Sequence, residues 1–223
     1  GASCASIVFT INCSNDEIKK NIENRLKNYT LRFHEINQSN ADKIYNSSID
    51  QVRSAMEPFG YFDPKIKSEL LTSNEGYLIT FDVDLGPRST IGKVDIKLEQ
   101  AIIKNHDEIF NELYELTGKP YDGDKIIALQ VKIQNYFSKQ GYIFAEFNRS
   151  FIKQRDHVVD LNFILNLHQQ FFYGPIQFKR KSYLSKKLLN RFIDFKPGQP
   201  FDPEKINNLQ QNLLRSDYFS QVM

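Results

Sequence analysis

The sequence contains no tryptophan, only two cysteines, only two methionines and no long apolar run. A membrane-spanning helix needs about 18 consecutive apolar residues. The apolar stretches here are short and alternate with polar residues, so we predict that the chain lies outside the bilayer. Cys4 and Cys13 flank residues 7–11, which have the pattern of an extended strand. At about 3.3 Å per residue the two sulfurs would lie roughly 30 Å apart, so no intrachain disulfide is expected.

The residue patterns that support enzyme chemistry are also missing. The four histidines have no metal-ligand spacing to one another or to a cysteine; they are His34, His106, His157 and His168. The sequence has no glycine-rich phosphate loop and no serine nucleophile elbow. The run Asn-His-Asp-Glu at 105–108 lies where a helix is expected to begin, and asparagine and acids are typical of that position. We therefore predict no catalytic residue, no metal and no cofactor.

The sequence does contain a repeat with a period of about 80 residues. A Lys-Ile pair recurs at this spacing, at Lys43-Ile44, Lys125-Ile126 and Lys205-Ile206. A second landmark is Gly60-Tyr61-Phe62, echoed by Gly141-Tyr142-Ile143 and more loosely by Asp217-Tyr218-Phe219. Residues 77–85 and 159–167 both alternate apolar and polar side chains, as half-buried strands do. This self-similarity indicates that one structural unit is built more than once.

Each repeat has the pattern of a strand, two helices and two further strands. The leading strands are predicted at 7–11, 94–98 and 176–178, and the second strands at 65–71 and 143–151. This order predicts an α+β fold, in which each unit is a small three-stranded mixed sheet with two helices on one face. The predicted units are 1–87, 88–170 and 171–223. We expect the third to be incomplete, because its second strand would only begin at the end of the sequence.

Helix start and stop signals support this division. Ser14 with Glu17 forms a capping-box pattern for the first helix. The second helices have predicted N-caps four residues before each repeated isoleucine, at Asn40, Asp122 and Asp202. Glycine supplies the left-handed stop after several helices, at Gly60, Gly118 and Gly141. Good cap residues at equivalent repeat positions indicate a structural role and not a catalytic one.

Four segments of the chain resemble POTRA (polypeptide-transport-associated) domains, which have the same β-α-α-β-β order. They are FGYFDPKI at 59–66, YGPIQF at 173–178, FKPGQPF at 195–201 and SDYFSQV at 216–222. Their order and spacing are similar to the TamA branch of the Omp85 superfamily over essentially the whole chain. BamA-like proteins and two-partner-secretion transporters share the domain and stay open as alternatives. An enzyme or a nucleic-acid binder on an unrelated αβ fold is the remaining alternative.

The resemblance implies a non-enzymatic scaffold at the periplasmic face of the outer membrane of a Gram-negative bacterium. In the TamA branch, three such modules precede a C-terminal outer-membrane barrel and assist the insertion of outer-membrane proteins, autotransporters among them. The implied partners are therefore unfolded outer-membrane proteins or autotransporters, a TamB-like inner-membrane partner, and the barrel of the same polypeptide. No cofactor is implied.

The edges of the predicted sheets are the expected binding sites. A sheet edge leaves backbone donors and acceptors unpaired, and an extended partner can add a strand there. In POTRA domains the second strand is the usual exposed edge. The predicted partner-binding residues are therefore Lys65, Ile66, Lys67, Ser68, Glu69, Leu70, Leu71, Ile143, Ala145, Phe147, Arg149 and Phe151. The alternative is that these edges bind no partner and that their charged residues prevent unwanted strand pairing.

Positive charge is concentrated in the last predicted unit. Residues 171–223 contain nine lysines and arginines against four acids. A predicted basic patch contributes most of the excess, and consists of Lys179, Arg180, Lys181, Lys186 and Lys187. In an intact protein of this family the patch would lie nearest the membrane, where anionic lipid head groups attract basic residues. A solvated helical face is the alternative, and without a stacking motif no nucleic acid partner is expected.

Overall fold

The computed structural model of the chain describes residues 5–99, 107–153, 155–175, 187 and 190–215. It contains two three-stranded mixed sheets with helices, so the fold is α+β, as predicted. The elements of the first sheet and its helices are β1 (Ser6–Asn12), α1 (Asp16–Thr30), α2 (Gln38–Met56), β2 (Lys65–Ser73) and β3 (Gly76–Asp84). Strand β3 is central, with β1 parallel to it on one side and β2 antiparallel to it on the other.

The core of the first sheet follows from two periodicities in the sequence. In α1 the apolar residues recur every four positions, so Ile18, Ile22 and Leu26 lie on one face of the helix and are buried. In β3 the apolar residues alternate, so Ile79 and Phe81 point to the helices and are fully buried. Burying each such side chain stabilises the fold by about 1.5–3 kcal/mol. The helices therefore cover one face of the sheet and leave the other face to solvent.

The helix caps in this part of the chain correct two predictions. Helix α1 begins after Asn15 and not after Ser14, because the Asn15 side chain accepts a hydrogen bond from the backbone of Ile18 at 3.0 Å. Helix α2 begins after Asn37, which forms a reciprocal capping box with Asn40. Asn40 therefore lies inside the helix, where its carboxamide accepts from the Asn37 backbone. An amide side chain both donates and accepts, so two asparagines three residues apart can cap each other.

The second sheet and the elements that follow continue the pattern. They are β4 (Thr90–Leu98), α3 (Asn111–Tyr114), α4 (Gly123–Ser138), β5 (Glu146–Lys153), β6 (Val158–Asn166) and α5 (Pro203–Arg215). The strand order is β4-β6-β5. The predicted caps Asp122 and Asp202 are confirmed, since their side chains accept from the backbones of Lys125 at 3.2 Å and Glu204 at 3.0 Å. The leading strand predicted at 176–178 lies outside the described residues.

A short network of main-chain hydrogen bonds links Gly60 of the first repeat to residues 89–121; we call it the first junction. The Gly60 carbonyl accepts from the backbone of Ser89 at 2.8 Å, and the Ser89 carbonyl accepts from Tyr121 at 2.9 Å. Ile91 donates to the carbonyl of Lys119 at 2.8 Å and accepts from the backbone of Gly118 at 2.7 Å. Four main-chain bonds thus connect Gly60, which follows the first repeat's second helix, through Ser89 and Ile91 to residues 118–121, which precede α4.

The same four bonds recur about 80 residues later, in what we call the second junction. The Gly141 carbonyl accepts from Phe171, and the Phe171 carbonyl accepts from Phe201, both at 2.8 Å. Tyr173 donates to the carbonyl of Gln199 at 2.9 Å and accepts from Gly198 at 2.8 Å. The repeat seen in the sequence is therefore a repeat of hydrogen bonding as well as of secondary structure.

Gly60 and Gly141 are required at the junctions for two reasons. Their φ angles are 87° and 94°, in the left-handed region that favours glycine. A Cβ atom on Gly60 would lie 2.9 Å from the carbonyl oxygen of Tyr121, and one on Gly141 would lie 2.3 Å from that of Phe171. The backbone approaches so closely at both places that no side chain fits without a shift of the main chain.

The chain divides into two compact units. The first comprises Gly1–Lys93, Leu116–Ile126 and Phe151–Leu161, and the second comprises Val94–Glu115, Ile127–Ser150 and Asn162–Met223. The first junction lies within the first unit, and the second junction lies within the second. The sequence boundaries 1–87, 88–170 and 171–223 stay a prediction, because this division passes through the strands of the second sheet. In the part of the chain that the structure describes, no helix is long and apolar enough to cross a bilayer.

Candidate functional site

Strands β2 and β5 each lie at an edge of their sheet. Among the described residues, the orders β1-β3-β2 and β4-β6-β5 give each of them a neighbouring strand on one side only. The backbone donors and acceptors of the other side form a template on which a further strand can pair. The structure thus places both predicted second strands at sheet edges.

The predicted docking residues of the first repeat all lie in β2 and alternate between its two faces. Those on the face that the helices cover are half-buried, namely Ile66, Ser68 and Leu70. Those on the open face are exposed, namely Lys65, Lys67, Glu69 and Leu71. The register places Lys67 opposite Asp82 and Lys65 opposite Asp84 of β3. Opposite charges in directly opposed positions stabilise a strand pair, so both lysines also have a role inside the sheet.

Three large apolar side chains cross the open face of the first sheet. Val8 of β1 is paired in register with Leu78 of β3, which is paired in turn with Leu71 of β2. They are 56%, 36% and 50% exposed, respectively. We call these three residues the apolar row. The neighbouring row of Thr10, Thr80 and Glu69 is polar, so the apolar row is a local feature that reaches the free edge at Leu71.

The inner face of β2 is fixed to the helices. The hydroxyl oxygens of Tyr45 in α2 and Ser68 in β2 are 2.6 Å apart, a hydrogen bond in which either can donate. Ile66 and Leu70 pack against the buried core. The strand is therefore held in one position while its outer edge stays open. A preordered edge lowers the entropic cost of binding an extended partner.

The predicted docking residues of the second repeat lie only partly in β5. Ile143 and Ala145 precede the strand, which begins at Glu146. The Ala145 backbone donates to the carbonyl of Tyr142 at 3.2 Å and closes a turn there. The prediction of a strand from residue 143 is wrong for this reason.

Three further predicted residues, Phe147, Arg149 and Phe151, do lie in β5. Phe147 is half-buried and packs edge-to-face on the buried Phe163, with the ring centres 6.0 Å apart. Its side chain therefore contributes to the packing of the sheet, whereas Arg149 is exposed.

Most of the predicted basic patch falls outside the described residues. Lys179, Arg180, Lys181 and Lys186 are among those that the structure does not describe. Lys187 is described and is exposed. The patch therefore stays a prediction.

Sequence reasoning missed Val8 and Leu78 of the apolar row. A signal for Leu78 was present, because it is a large apolar residue in the polar phase of β3, which continues with Thr80 and Asp82. Val8 has the same signal, because it is an apolar residue in the polar phase of β1 with Ser6, Thr10 and Asn12. Its place beside Leu78 depends on the pairing of two strands 70 residues apart, and strand register is set by the assembled sheet.

The ionisable side chains of the described residues that pair with one another do so on the surface. No group of three or more histidines, cysteines or acids that could hold a metal ion occurs among them. His168 Nε2 lies 2.9 Å from a carboxylate oxygen of Glu146, and both side chains are exposed. The ammonium of Lys139 lies 2.9 Å from the carboxylate of Glu204, and this hydrogen bond raises the pKa of Lys139. Both are pairs of exposed side chains on the surface.

An α+β unit that recurs with its own junction and its own sheet edge defines a repeat protein built of small modules. Two family models match this chain. The one described as POTRA domain TamA domain 1 matches residues 8–85. The POTRA model described as surface antigen variable number repeat matches residues 89–166 and 171–223. The chain belongs to the POTRA family.

Similar proteins include both a sequence relative and a solved structure. The outer membrane protein assembly factor BamA of Nitratidesulfovibrio vulgaris is 25% identical over 171 residues, which are 73% of this chain and 21% of that protein. The chain thus spans about a fifth of the length of this relative. The crystal structure of BamA POTRA3-5 from Haemophilus influenzae has a TM-score of 0.54 at 12% identity, covering 97% of this chain and 86% of that one. This second likeness shows the fold.

Proposed function

We propose that the chain is the POTRA region of an Omp85-family outer-membrane assembly protein, where it acts as a non-enzymatic periplasmic scaffold. Extended segments of partner proteins add to its sheets as strands, first at β2. The observation that carries this proposal is the geometry of β2. The strand is open along its outer edge, is held on its inner face through Tyr45 and Ser68, and continues the apolar row on its open face.

The chemistry of β2 suits a scaffold with many clients. Main-chain hydrogen bonds are available to any extended segment, so pairing at the edge tolerates differences in sequence. The apolar row adds a preference, because an apolar side chain placed beside Leu71 extends the row and shields it from water. Lys67 and Glu69 lie on the same face of β2 as Leu71. They favour a partner segment that has polar residues at the positions beside them. A strand with mixed apolar and polar positions meets both conditions.

Within the Omp85 family we propose the TamA branch. The match of residues 8–85 to the first TamA POTRA domain supports this assignment. The partners are then unfolded outer-membrane proteins or autotransporters, a TamB-like inner-membrane partner and the C-terminal barrel of the same polypeptide, at the periplasmic face of the outer membrane of a Gram-negative bacterium. The basic patch would contact lipid head groups. A BamA-like protein is the alternative, supported by the Nitratidesulfovibrio vulgaris relative.

Site-specific crosslinking tests the role of β2. A photo-reactive amino acid at position 71 should crosslink to a denatured barrel protein on dilution from urea, and not to the same protein once folded. The matched control is position 53 on α2, which is also exposed and lies outside β2, and which should capture neither form. Equal capture at the two positions, or equal capture of folded and unfolded clients, would contradict docking at the edge.

A binding assay separates the branches of the family. The immobilised chain is exposed to several unfolded barrel proteins and, separately, to the periplasmic part of a TamB-like protein. Binding of both is expected for the TamA branch, while binding of several barrel proteins without the TamB-like protein would indicate a BamA-like protein. Capture of one secreted protein alone would contradict both and favour a two-partner-secretion transporter.

A further inference from the structure

A polar cleft lies beside α1 on the helix layer of the first repeat, away from the open sheet face. It has a volume of about 370 Å³ and is lined by two arginines, three asparagines, a glutamine and a tyrosine. Six of these residues come from α1 and the turn after it, and Gln51 comes from α2. None of the lining residues is acidic, so the two arginines give the lining of the cleft a net positive charge.

The two arginines are Arg25 and Arg32. The Nε of Arg25 donates to the carboxamide oxygen of Gln51 at 2.9 Å, which orients the guanidinium without neutralising it. Among the described residues neither arginine takes part in an ion pair. A guanidinium held in this way still presents its terminal nitrogens, which match the two oxygens of a carboxylate.

The wall of the cleft is fixed before any ligand arrives. The Asn21 carboxamide donates to the backbone carbonyl of Ala55 in α2 at 2.8 Å. Tyr29 packs edge-to-face on Phe33, with the ring centres 5.4 Å apart. Together with the bond from Arg25 to Gln51 these contacts order the cleft at both ends, and preorder of this kind favours binding.

The spacing of the arginines defines the ligand. Arg25 and Arg32 are seven residues apart, and the backbone of Arg32 still donates to Tyr29 as in a helical turn. At 1.5 Å per residue their backbones are therefore about 10 Å apart along the axis of α1. In a polyproline II segment, residues three apart lie on the same side and are about 9.3 Å apart. Asn24 and Asn28 lie between the arginines in the cleft, and their carboxamides can both donate to and accept from peptide groups.

We propose that this cleft binds an extended acidic peptide segment of a partner protein, with carboxylates three residues apart that each meet one arginine. The site is separate from the β2 edge, so it provides a second, charge-selective contact. Its success or failure in experiment is independent of strand addition at β2.

The test measures binding of two labelled peptides to the full chain by fluorescence anisotropy. One peptide has aspartates three residues apart in a proline-rich frame, and the control peptide has asparagines in their place. The acidic peptide should bind and the asparagine peptide should not. Arg25→Gln and Arg32→Gln should each weaken binding about tenfold, which corresponds to the loss of one charge-assisted contact. Arg53→Gln removes an exposed arginine of α2 outside the cleft and should change binding little.

Three results would overturn the proposal. The first is an equal loss of binding in Arg53→Gln, which would show a general charge effect. The second is equal binding of the asparagine peptide. The third is binding of inorganic phosphate or of anionic vesicles that depends on Arg25 while the acidic peptide does not bind, which would assign the cleft to phosphate groups. Circular dichroism of each variant confirms that a loss of binding is not a loss of fold.

Discussion

Arg88 in the first junction and Gln170 in the second donate equivalent hydrogen bonds. The Nε of Arg88 donates to the carbonyl of Phe59, and the Nε2 of Gln170 donates to the carbonyl of Gln140, both at 2.8 Å. Arg88 also donates from Nη2 to the carbonyl of Tyr121 at 2.9 Å. A side chain therefore reinforces the main-chain bonds in both junctions, and in the first it spans two carbonyls.

Removing the Arg88 side chain should weaken the first junction. Arg88→Ala loses both hydrogen bonds, so we expect the free energy of unfolding to fall by about 1–2 kcal/mol. Arg88→Gln should lose roughly half of that, because glutamine can make the bond to Phe59 that Gln170 makes to Gln140. Urea unfolding followed by circular dichroism measures both. If Arg88→Ala and the control Arg53→Ala unfold at the same urea concentration, the bonds contribute nothing.

Alanine substitutions at three glycines should lower the free energy of unfolding by different amounts, according to the φ angle and the space around each glycine. Gly141→Ala combines a left-handed φ with a Cβ 2.3 Å from a backbone oxygen, and should destabilise by more than about 2 kcal/mol. Gly118→Ala has a left-handed φ but no atom within 4 Å of its Cβ, and should cost about 1–2 kcal/mol. Gly174→Ala has neither problem and should stay within about 0.5 kcal/mol. Urea unfolding tests the order, and a reversal of the first two would contradict the junction geometry.

The bond between Tyr45 and Ser68 should appear as coupling between α2 and β2. Tyr45→Phe and Ser68→Ala should each reduce the free energy of unfolding by about 1 kcal/mol. The double variant should lose less than the sum of the two, because both changes remove the same bond. Crosslinking at position 71 should also decline in both variants as β2 loosens. Additive losses of stability would show that the two hydroxyls act independently.

Tyr173 should make the second junction sensitive to alkali. Its hydroxyl donates to the carbonyl of Asp202 at 2.8 Å and accepts from the backbone of Asp202 at 2.9 Å. Burial raises the pKa of Tyr173 above its ordinary value of 10. The folded state thus holds the proton more tightly than the unfolded state. The resulting stability is fully present below about pH 10 and is lost as the pH rises through the folded-state pKa.

The measurement compares the urea midpoint of the wild type with that of Tyr173→Phe across this pH range. The variant should be less stable at neutral pH, because it loses both hydrogen bonds, and should depend less on pH above about 10. Tyr114→Phe is the control, since Tyr114 is exposed. Parallel losses in the wild type and in Tyr173→Phe would show that the alkaline effect arises elsewhere.

The fold was predictable where the apolar periodicity is strict and where helix-cap residues mark the start of a helix. The strict alternation of residues 77–85 predicted β3 to within one residue of Gly76–Asp84, and the caps Asp122 and Asp202 were predicted directly. The start of β5 at Glu146 was not predicted correctly. Ile143 and Ala145 keep the apolar alternation through a turn, and alternation alone does not distinguish a turn from a strand.

The candidate site was less accessible to sequence reasoning. The residues of β2 were predicted because the strand itself is a local sequence pattern. The resemblance to POTRA domains then supplied its position at the edge of the sheet. The apolar row and the polar cleft depend on pairs such as Val8 with Leu78 and Arg25 with Gln51, which only the assembled structure brings together. Long-range register and helix packing are tertiary properties.

Both junctions are made mainly of amide groups, and every residue except proline carries the same pair. Apart from the glycines with a left-handed φ and the side chains that reinforce the junctions, such as Arg88 and Tyr173, the surrounding side chains can therefore be exchanged without loss of these main-chain bonds. A polypeptide connected in this way can be lengthened by duplicating whole repeats, since each copy brings with it half of the next connection.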